Sequence, residues 1–556
     1  MPASPPRMPQ RTELPFVVFV AGVAMLSIEM LMPRLLAPYF GTAQPIWAII
    51  ISSTLLFLAA GYWLGGRLAD HDPRLVRLYR LLAWAGLACA LIPLVARPIL
   101  RTARLALLDV AAGTFLAALG GAVLLFAVPV TLLAAVSPLA VRLHLHHSAA
   151  GVQAAGRVVG LLSAVSTIGA LLGTLLTAFW LIPNIGTTAS FYLFALVLLV
   201  LATLGGREWF TLPLIVLVGG LGGYALNTPA PIAPAACIEC VLVAEAESAY
   251  NYIQVVEQRG FDADGIDPRL HLLLNEGFAL HSTYRLRYRE RGDPADLLTG
   301  GGPWDYFMIA PFVQAHRTPQ SIQRVAILGA AAGTVPKQLL AVYGTGLHLD
   351  AVELDPAIIA ISRAYFDLDA DQRTAPNYHV HIADARAWLA TQPHDPRGYD
   401  LIGVDAYQQP YIPFHLTTVE FFAELRTHLA PDGVVVVNAA RAPNGDERLV
   451  RAVATSMRAV FPQVFLIDTH RARGAVNVLV VGVPVPVGDG AAHLAAHAAQ
   501  LSDPTLVQVL QWALFAGGQP VREFVPQAAD PPPFRDDRAP LEQLIDALLI
   551  EQLGGQ

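Results

Sequence analysis

Three carboxylates stand at the ends of short apolar runs: Glu353 after His348–Val352, Asp384 after His379–Ile382 and Asp405 after Leu401–Val404. A fourth such run, Val325–Leu328, ends instead in six small residues, Gly329-Ala330-Ala331-Ala332-Gly333-Thr334. Small residues there, with Gly329, Ala331 and Gly333 as contact positions, let a backbone approach a ligand. The helix that follows favours electron-rich groups at its N-terminus. A carboxylate where Glu353 stands can accept both hydroxyls of a ribose, and one at Asp384 can take an adenine amino group. Asp405 faces the centre of the cleft. Each signal is weak alone; in this order on successive strands they indicate an adenosine-containing ligand. The turn lacks the Lys-Ser/Thr of a P-loop, which disfavours a phosphate ligand.

Those ends converge only if the runs form one sheet. From Arg324 the pattern alternates strand and helix, with helices from Val335, over Pro356–Phe366 and over Val419–Leu429, and a further strand at Val434–Asn438. This predicts a doubly wound, Rossmann-like α/β domain, whose ligands sit at the strands' carboxyl ends. Class I S-adenosylmethionine enzymes are built this way. Upstream, alternating runs at Cys240–Glu245, Tyr252–Gln258 and His271–Asn275 predict a small antiparallel β-unit. The expected organisation is a helical membrane domain (1–227), a Pro-rich linker (228–236), the β-unit (237–323), the nucleoside-binding domain (324–485) and a helical C-terminal extension (486–556). Asp536–Glu542 precedes an amphipathic helix that either returns over the site or is a solvated helix start.

Composition supports two domains in two solvents. Of 556 residues, 54% are hydrophobic and only 14% charged, against roughly a quarter charged in soluble chains. Residues 1–230 hold 13 Arg and 6 Asp/Glu, a net of +7; the remaining 23 Lys+Arg and 37 Asp/Glu give −14. An acidic second half argues against nucleic acid as a partner. Hydropathy predicts seven membrane spans, at 15–37, 46–65, 79–97, 112–136, 158–182, 187–205 and 209–227. Glu29 within the first is a functional candidate or a packing lock paired with Arg34. Gly160, Gly169 and Gly173 give the fifth a small-residue face suited to close helix contact. His144, His146 and His147 read as interfacial charge, and no metal site is expected. Cys237 and Cys240 form a lone CxxC read as idle thiols. The protein is expected in the inner membrane. Loop arginines place the soluble domain outside, whereas a cytosolic nucleoside ligand places it in the cytoplasm.

Residues about 240–482 resemble the spermidine synthase (polyamine aminopropyltransferase) family. The likeness rests on LLLNEGFALHS (272–282), WDYFMIAPFV (304–313), RVAILGAAAGT (324–334), DAVELDP (350–356), IADARAWL (382–389), YDLIGVDAYQQP (399–410) and LAPDGVVVVN (429–438). With the apolar half, the whole chain is similar to membrane-fused spermidine synthase-like proteins. The resemblance implies that Glu353 holds the ribose, and Asp384 with the Ala385 backbone the adenine. It also implies that Asp405 is the base for an attacking amine, a role suited to an anion that attracts a cationic amine and then accepts its proton. Departures fall on the amine side. The family's acid in the glycine turn is Ala332, its second motif Asp is Gln408, and its Tyr-(His/Gln)-Glu reads Asp305-Tyr306-Phe307. Its binding-loop Gln falls near His281. Asp305 and Tyr306 then supply a shifted amine site, with His281, Tyr407 and Gln408 as further contacts, or the acceptor is not putrescine. The implied activity is transfer of an aminopropyl-type group from S-adenosylmethionine or its decarboxylated form to a small polyamine-type amine, releasing methylthioadenosine. Methyl transfer, and a nucleoside-binding transporter or sensor without turnover, are the alternatives. The lipid bilayer is the other partner, with a homo-oligomer left open.

Overall fold

The computed structural model describes all residues except 1–12, 41–43, 72, 107–112, 147–154, 207–208, 228–239, 263–264, 276–279, 408–411, 442–444, 470–475, 516–520, 542–543 and 546–556. The expected linker and Gln408 lie outside the described residues. The chain divides into two units: Met1–Pro234 with Glu247–Tyr252, and Ala235–Ala246 with Ile253–Gln556.

The first unit is helical: α1 (Glu13–Phe40), α2 (Gln44–His71), α3 (Leu75–Ala106), α4 (Gly113–Ala134), α5 (Val136–His146), α6 (Ala155–Leu176), α7 (Ile182–Gly206) and α8 (Thr211–Asn227). Long apolar sequence favours helices here because a helix satisfies its own backbone polar groups where no water can. Five stretches are long and apolar enough to cross a membrane, not the seven read from hydropathy. Two expected spans, 158–182 and 187–205, lie on one stretch, Ala155–Gly206, because a π-helical turn at Thr177–Leu181 carries α6 into α7 without a loop. Gly186, at φ 78°, is the only break inside α7. The last expected span folds as α8, whose 17 residues rise about 26 Å, short of a ~30 Å hydrocarbon core.

Small residues set the α1–α6 contact. A Cβ on Gly22 would meet the Ser166 carbonyl oxygen at 2.4 Å, and one on Gly169 or Gly173 would meet Phe19 O or Val23 O at 2.3 Å. Gly160 has no such neighbour, so the close face is narrower than expected. Arg34 donates to the Ala249 carbonyl.

The second unit opens with an antiparallel sheet of β1 (Cys240–Glu247), β2 (Tyr252–Asp262), β3 (Gly265–Leu274) and β4 (Leu280–Arg285), in that order. Cys240 is disulfide-bonded, which corrects the reading of its CxxC as idle thiols. The main sheet holds β5 (Arg324–Leu328), β6 (His348–Glu353), β7 (Tyr378–Ile382), β8 (Tyr399–Val404), β9 (Leu429–Arg441), β10 (Gln463–Asp468), β11 (Val476–Val483) and β12 (Val521–Glu523). Their spatial order is β12-β10-β11-β9-β8-β5-β6-β7. The five strands from β7 to β9 pair in parallel, and β11 inserts antiparallel against β9. The central strands are apolar and buried along Val325–Leu328 of β5, Leu401–Val404 of β8 and Val434–Val437 of β9, as strands covered by helices on both faces must be. After β5 the chain winds outward through β6 and β7, then returns to β8 on the other flank. β5 and β8 therefore bracket the topological switch point, where a crevice opens at the strands' carboxyl ends. The stretch expected to be a helical extension also supplies β12, paired with β10.

Candidate functional site

The turn after β5 is shaped by what its neighbours leave open. Gly329 sits at φ 91°, and a Cβ there would lie 2.6 Å from Asp405 O and 2.7 Å from the Ala406 backbone. Only glycine fits. Ala331 takes φ 44°, uncommon for a residue with a Cβ, and its N–H donates to Glu353 Oε2 at 2.9 Å. Ala332 N–H donates to Ser282 Oγ at 3.0 Å, while Ser362 Oγ donates to Ala332 O at 2.9 Å. Thr334 Oγ1 bonds both backbone groups of Thr283. Strand β4 thus braces the turn from one side and the helix Pro356–Tyr365 from the other.

Glu353 ends β6 with Oε1 accepting from Asp355 N at 3.0 Å and Oε2 from Ala331 N. Burial raises its carboxyl above the usual range, opposed by those backbone donors. Each oxygen keeps a lone pair, so the group can still accept from a pair of hydroxyls. Asp384 caps the helix Ala385–Thr391: Oδ1 accepts from Arg386 N at 3.1 Å and Ala387 N at 2.9 Å, and Oδ2 lies 3.3 Å from His415 Nε2. Ala385 is buried at the helix start. Next to it, Arg386 bonds Glu424, Asp536 and the His415 carbonyl, and Thr418 also holds Asp536. The segment about Asp536 is therefore bound beside Asp384 and is not a free helix start.

Asp405 follows β8, its N–H donating to Leu328 O at 2.8 Å across the switch point. Oδ2 accepts from Trp304 Nε1 and Oδ1 from Asn438 Nδ2, both at 2.8 Å. Burial raises its carboxyl to about 6, with Asn438 and Trp304 pulling the other way. The turn, Glu353 and Asp405 are thus gathered by β5, β6 and β8. Tyr407 Oη donates to Asn438 O at 2.7 Å, so its ring is tied to β9.

The amine-side candidates are placed differently. Asp305 is fully buried, and its carboxylate accepts from Thr299 N, Gly301 N and Gln338 Nε2. Burial lifts it to about 6 against those donors. Tyr306 packs in the hydrophobic core at 0% exposure. Neither is presented to the crevice in the way Asp405 is. His281, on β4, has a buried Nε2 without a hydrogen-bond partner, and desolvation lowers its imidazole to about 4, keeping it neutral. Sequence reasoning passed over Trp304, Asn438, Arg386 and His415. Trp304 and Asn438 stand inside quoted segments, but side-chain bonds to an acid 101 and 33 residues away leave no local spacing to read.

Residues 308–470 match the family described as Spermine/spermidine synthase domain. The C-terminal half therefore carries a spermine/spermidine synthase domain. A probable polyamine aminopropyl transferase of Bifidobacterium longum is 33% identical over 237 residues, 43% of this chain and 46% of its own. A polyamine aminopropyltransferase of Mycobacterium tuberculosis is 29% identical over 381 residues, 63% of this chain and 66% of its own. The chain thus spans about half to two thirds of these relatives' length. The crystal structure of a probable spermidine synthase from Corynebacterium glutamicum aligns with TM-score 0.36 at 22% identity, covering 52% of this chain and 99% of that one.

Proposed function

We propose that the chain is a membrane-integrated aminopropyltransferase-like enzyme acting on S-adenosylmethionine or its decarboxylated form, with a small amine as acceptor. The observation that carries this reading is Asp405. It is a mostly buried carboxylate at the switch point, bonded among the described residues by the neutral donors of Trp304 and Asn438, and ionised above pH about 6. Glu353 and Asp384, at the ends of β6 and after β7, take the ribose and adenine ends of the donor. In the proposed step the Asp405 carboxylate attracts a cationic amine and accepts its proton. The freed nitrogen pair forms the new C–N bond at the carbon next to the sulfonium. The C–S bond breaks, its electron pair returns to sulfur, and methylthioadenosine leaves. Losing a general base removes about 10²–10⁴ in rate. The five apolar helices would hold the enzyme in a bilayer.

The test is the purified full chain in detergent, given either donor and a panel of amines, with products identified by mass spectrometry. Methylthioadenosine that depends on added amine, and is strongly reduced in Asp405→Asn, is expected. S-adenosylhomocysteine would instead establish methyl transfer. Tight nucleoside binding without turnover would leave a sensor or transporter.

A further inference from the structure

Most buried or half-buried carboxylates of the second unit are answered by a guanidinium. Asp400 pairs with Arg317 at 2.9 Å and Asp468 with Arg441 at 2.8 Å. Such a partner stabilises the anion so strongly that the acid ceases to be a useful base. Among the described residues Asp305 has no cation either, but its oxygens accept four contacts from Thr299, Gly301 and Gln338, and it is sealed in the core. Asp405 is arranged differently. Each oxygen receives one neutral donor, Trp304 Nε1 or Asn438 Nδ2, and each retains a lone pair.

The Asn438 donor is itself held in place from further away. Val404 stands opposite Val437 in the β8–β9 register, which brings Asp405 beside Asn438. On the other flank Asn438 stands opposite Leu479, and Asn477 shares its face two residues along β11, a diagonal neighbour. Asn477 Nδ2 donates to Asn438 Oδ1 at 2.8 Å. The amide's sense is set from both ends: the Asp405 carboxylate only accepts, so the amino group faces it, and the Asn477 donor takes the carbonyl on the other side. A reversed amide would set its oxygen against the carboxylate and its N–H₂ against another amino group. Tyr407 pins the same residue through its backbone oxygen.

We infer that Trp304, Asn438 and Asn477 form a positioning relay that fixes the carboxylate plane of Asp405 and keeps its remaining lone pairs aimed into the crevice. The relay rests on Asp405 being the base of the proposed reaction, but its geometry can be read without turnover. Trp304 and Asn438 are the hydrogen-bonding groups that act on Asp405. Tyr407 is the titratable neighbour, and burial raises its phenol, so it stays neutral. Both donors favour the ionised acid, so removing either moves its titration upward.

The experiment is an infrared pH titration of the full chain in detergent, labelled with ¹³C-aspartate, the Asp405 carboxyl band being assigned by its loss in Asp405→Asn. Trp304→Phe and Asn477→Ala should move the midpoint up from the wild-type value. Asn477→Asp, which competes for the Asn438 amino group and adds a second negative charge nearby, should move it further. Asn477→Ser, which keeps a donor, should bring the midpoint most of the way back to the wild-type value. The pH profile of amine-dependent methylthioadenosine release should move in parallel, with its high-pH plateau retained. An unmoved midpoint in Trp304→Phe and in either unfavourable Asn477 variant, with native circular dichroism, overturns the relay. A band that shifts as expected in a protein that turns over no amine upholds the relay and removes the aminopropyl reading instead.

Discussion

At the scale of single residues, the acids divide by what already occupies their oxygens. Glu353 and Asp384 keep acceptor capacity, so Glu353→Ala and Asp384→Ala should each weaken methylthioadenosine binding in calorimetry by about 1.5–3 kcal/mol, the value of a hydrogen bond to a charged group. Unchanged affinity in both would remove the adenosine assignment. As the proposed base, Asp405 acts only when ionised, and burial raises its carboxyl to about 6. The rate should therefore fall as pH drops through about 6 and level off above it, a limb missing from Asp405→Asn. Asp305 is a structural acid. Asp305→Ala strands three buried donors and should destabilise the chain by about 2–5 kcal/mol in thermal or urea unfolding. Its folded titration, near 6, lies above the ordinary carboxyl value. The stability tied to its protonation is thus full below about pH 4 and lost as pH rises through 6. Residue types marked Glu353, Asp384 and Asp405 as strand-end acids, which local sequence can show. Nothing local distinguished Asp305, since its saturation depends on a loop folding back four to six residues and on Gln338.

At the scale of elements, strands whose apolar runs are continuous were legible: β6 runs over His348–Glu353 as read, and β5, β7 and β8 differ by one or two residues at their starts. The Gly/Ala turn and the three acids follow from that grammar. β10 and β11 were missed because nothing in a run such as Gln463–Asp468 says that it pairs antiparallel with a strand further along. β12, three residues long, carries no periodicity at all. The turn after β5 supplies the test at this scale. Gly329→Ala places a methyl 2.6 Å from Asp405 O in a conformation that costs an L-residue about 1–3 kcal/mol before any clash. It should lower the melting temperature and nucleoside affinity together. Gly346→Ala, where nothing lies within 4 Å, should change neither beyond a few tenths of a kcal/mol.

At the scale of the whole chain, sidedness depends on parity. Five stretches can cross, but Ala155–Gly206 is 52 residues, about 78 Å as helix, more than twice a hydrocarbon core. Gly186 breaks it, so the stretch crosses either once or twice, and α8 adds a further element a few ångströms short of a core. Each choice reverses the side on which the second unit emerges, which is why hydropathy alone gave seven spans without fixing orientation. Two physical arguments place the soluble unit outside: the loop arginines, and a disulfide at Cys240, which cytosolic thiols would reduce. The proposed chemistry places it inside, where the sulfonium donor is supplied. We expect the cytoplasmic arrangement. A single cysteine introduced at the exposed Arg397, with the native cysteines replaced, should then resist a membrane-impermeant maleimide in intact cells and react after permeabilisation. Labelling from outside would reverse the assignment. The adenosine site would then have to be fed by a ligand outside the cytoplasm, and the five apolar helices would become the first place to look for its route.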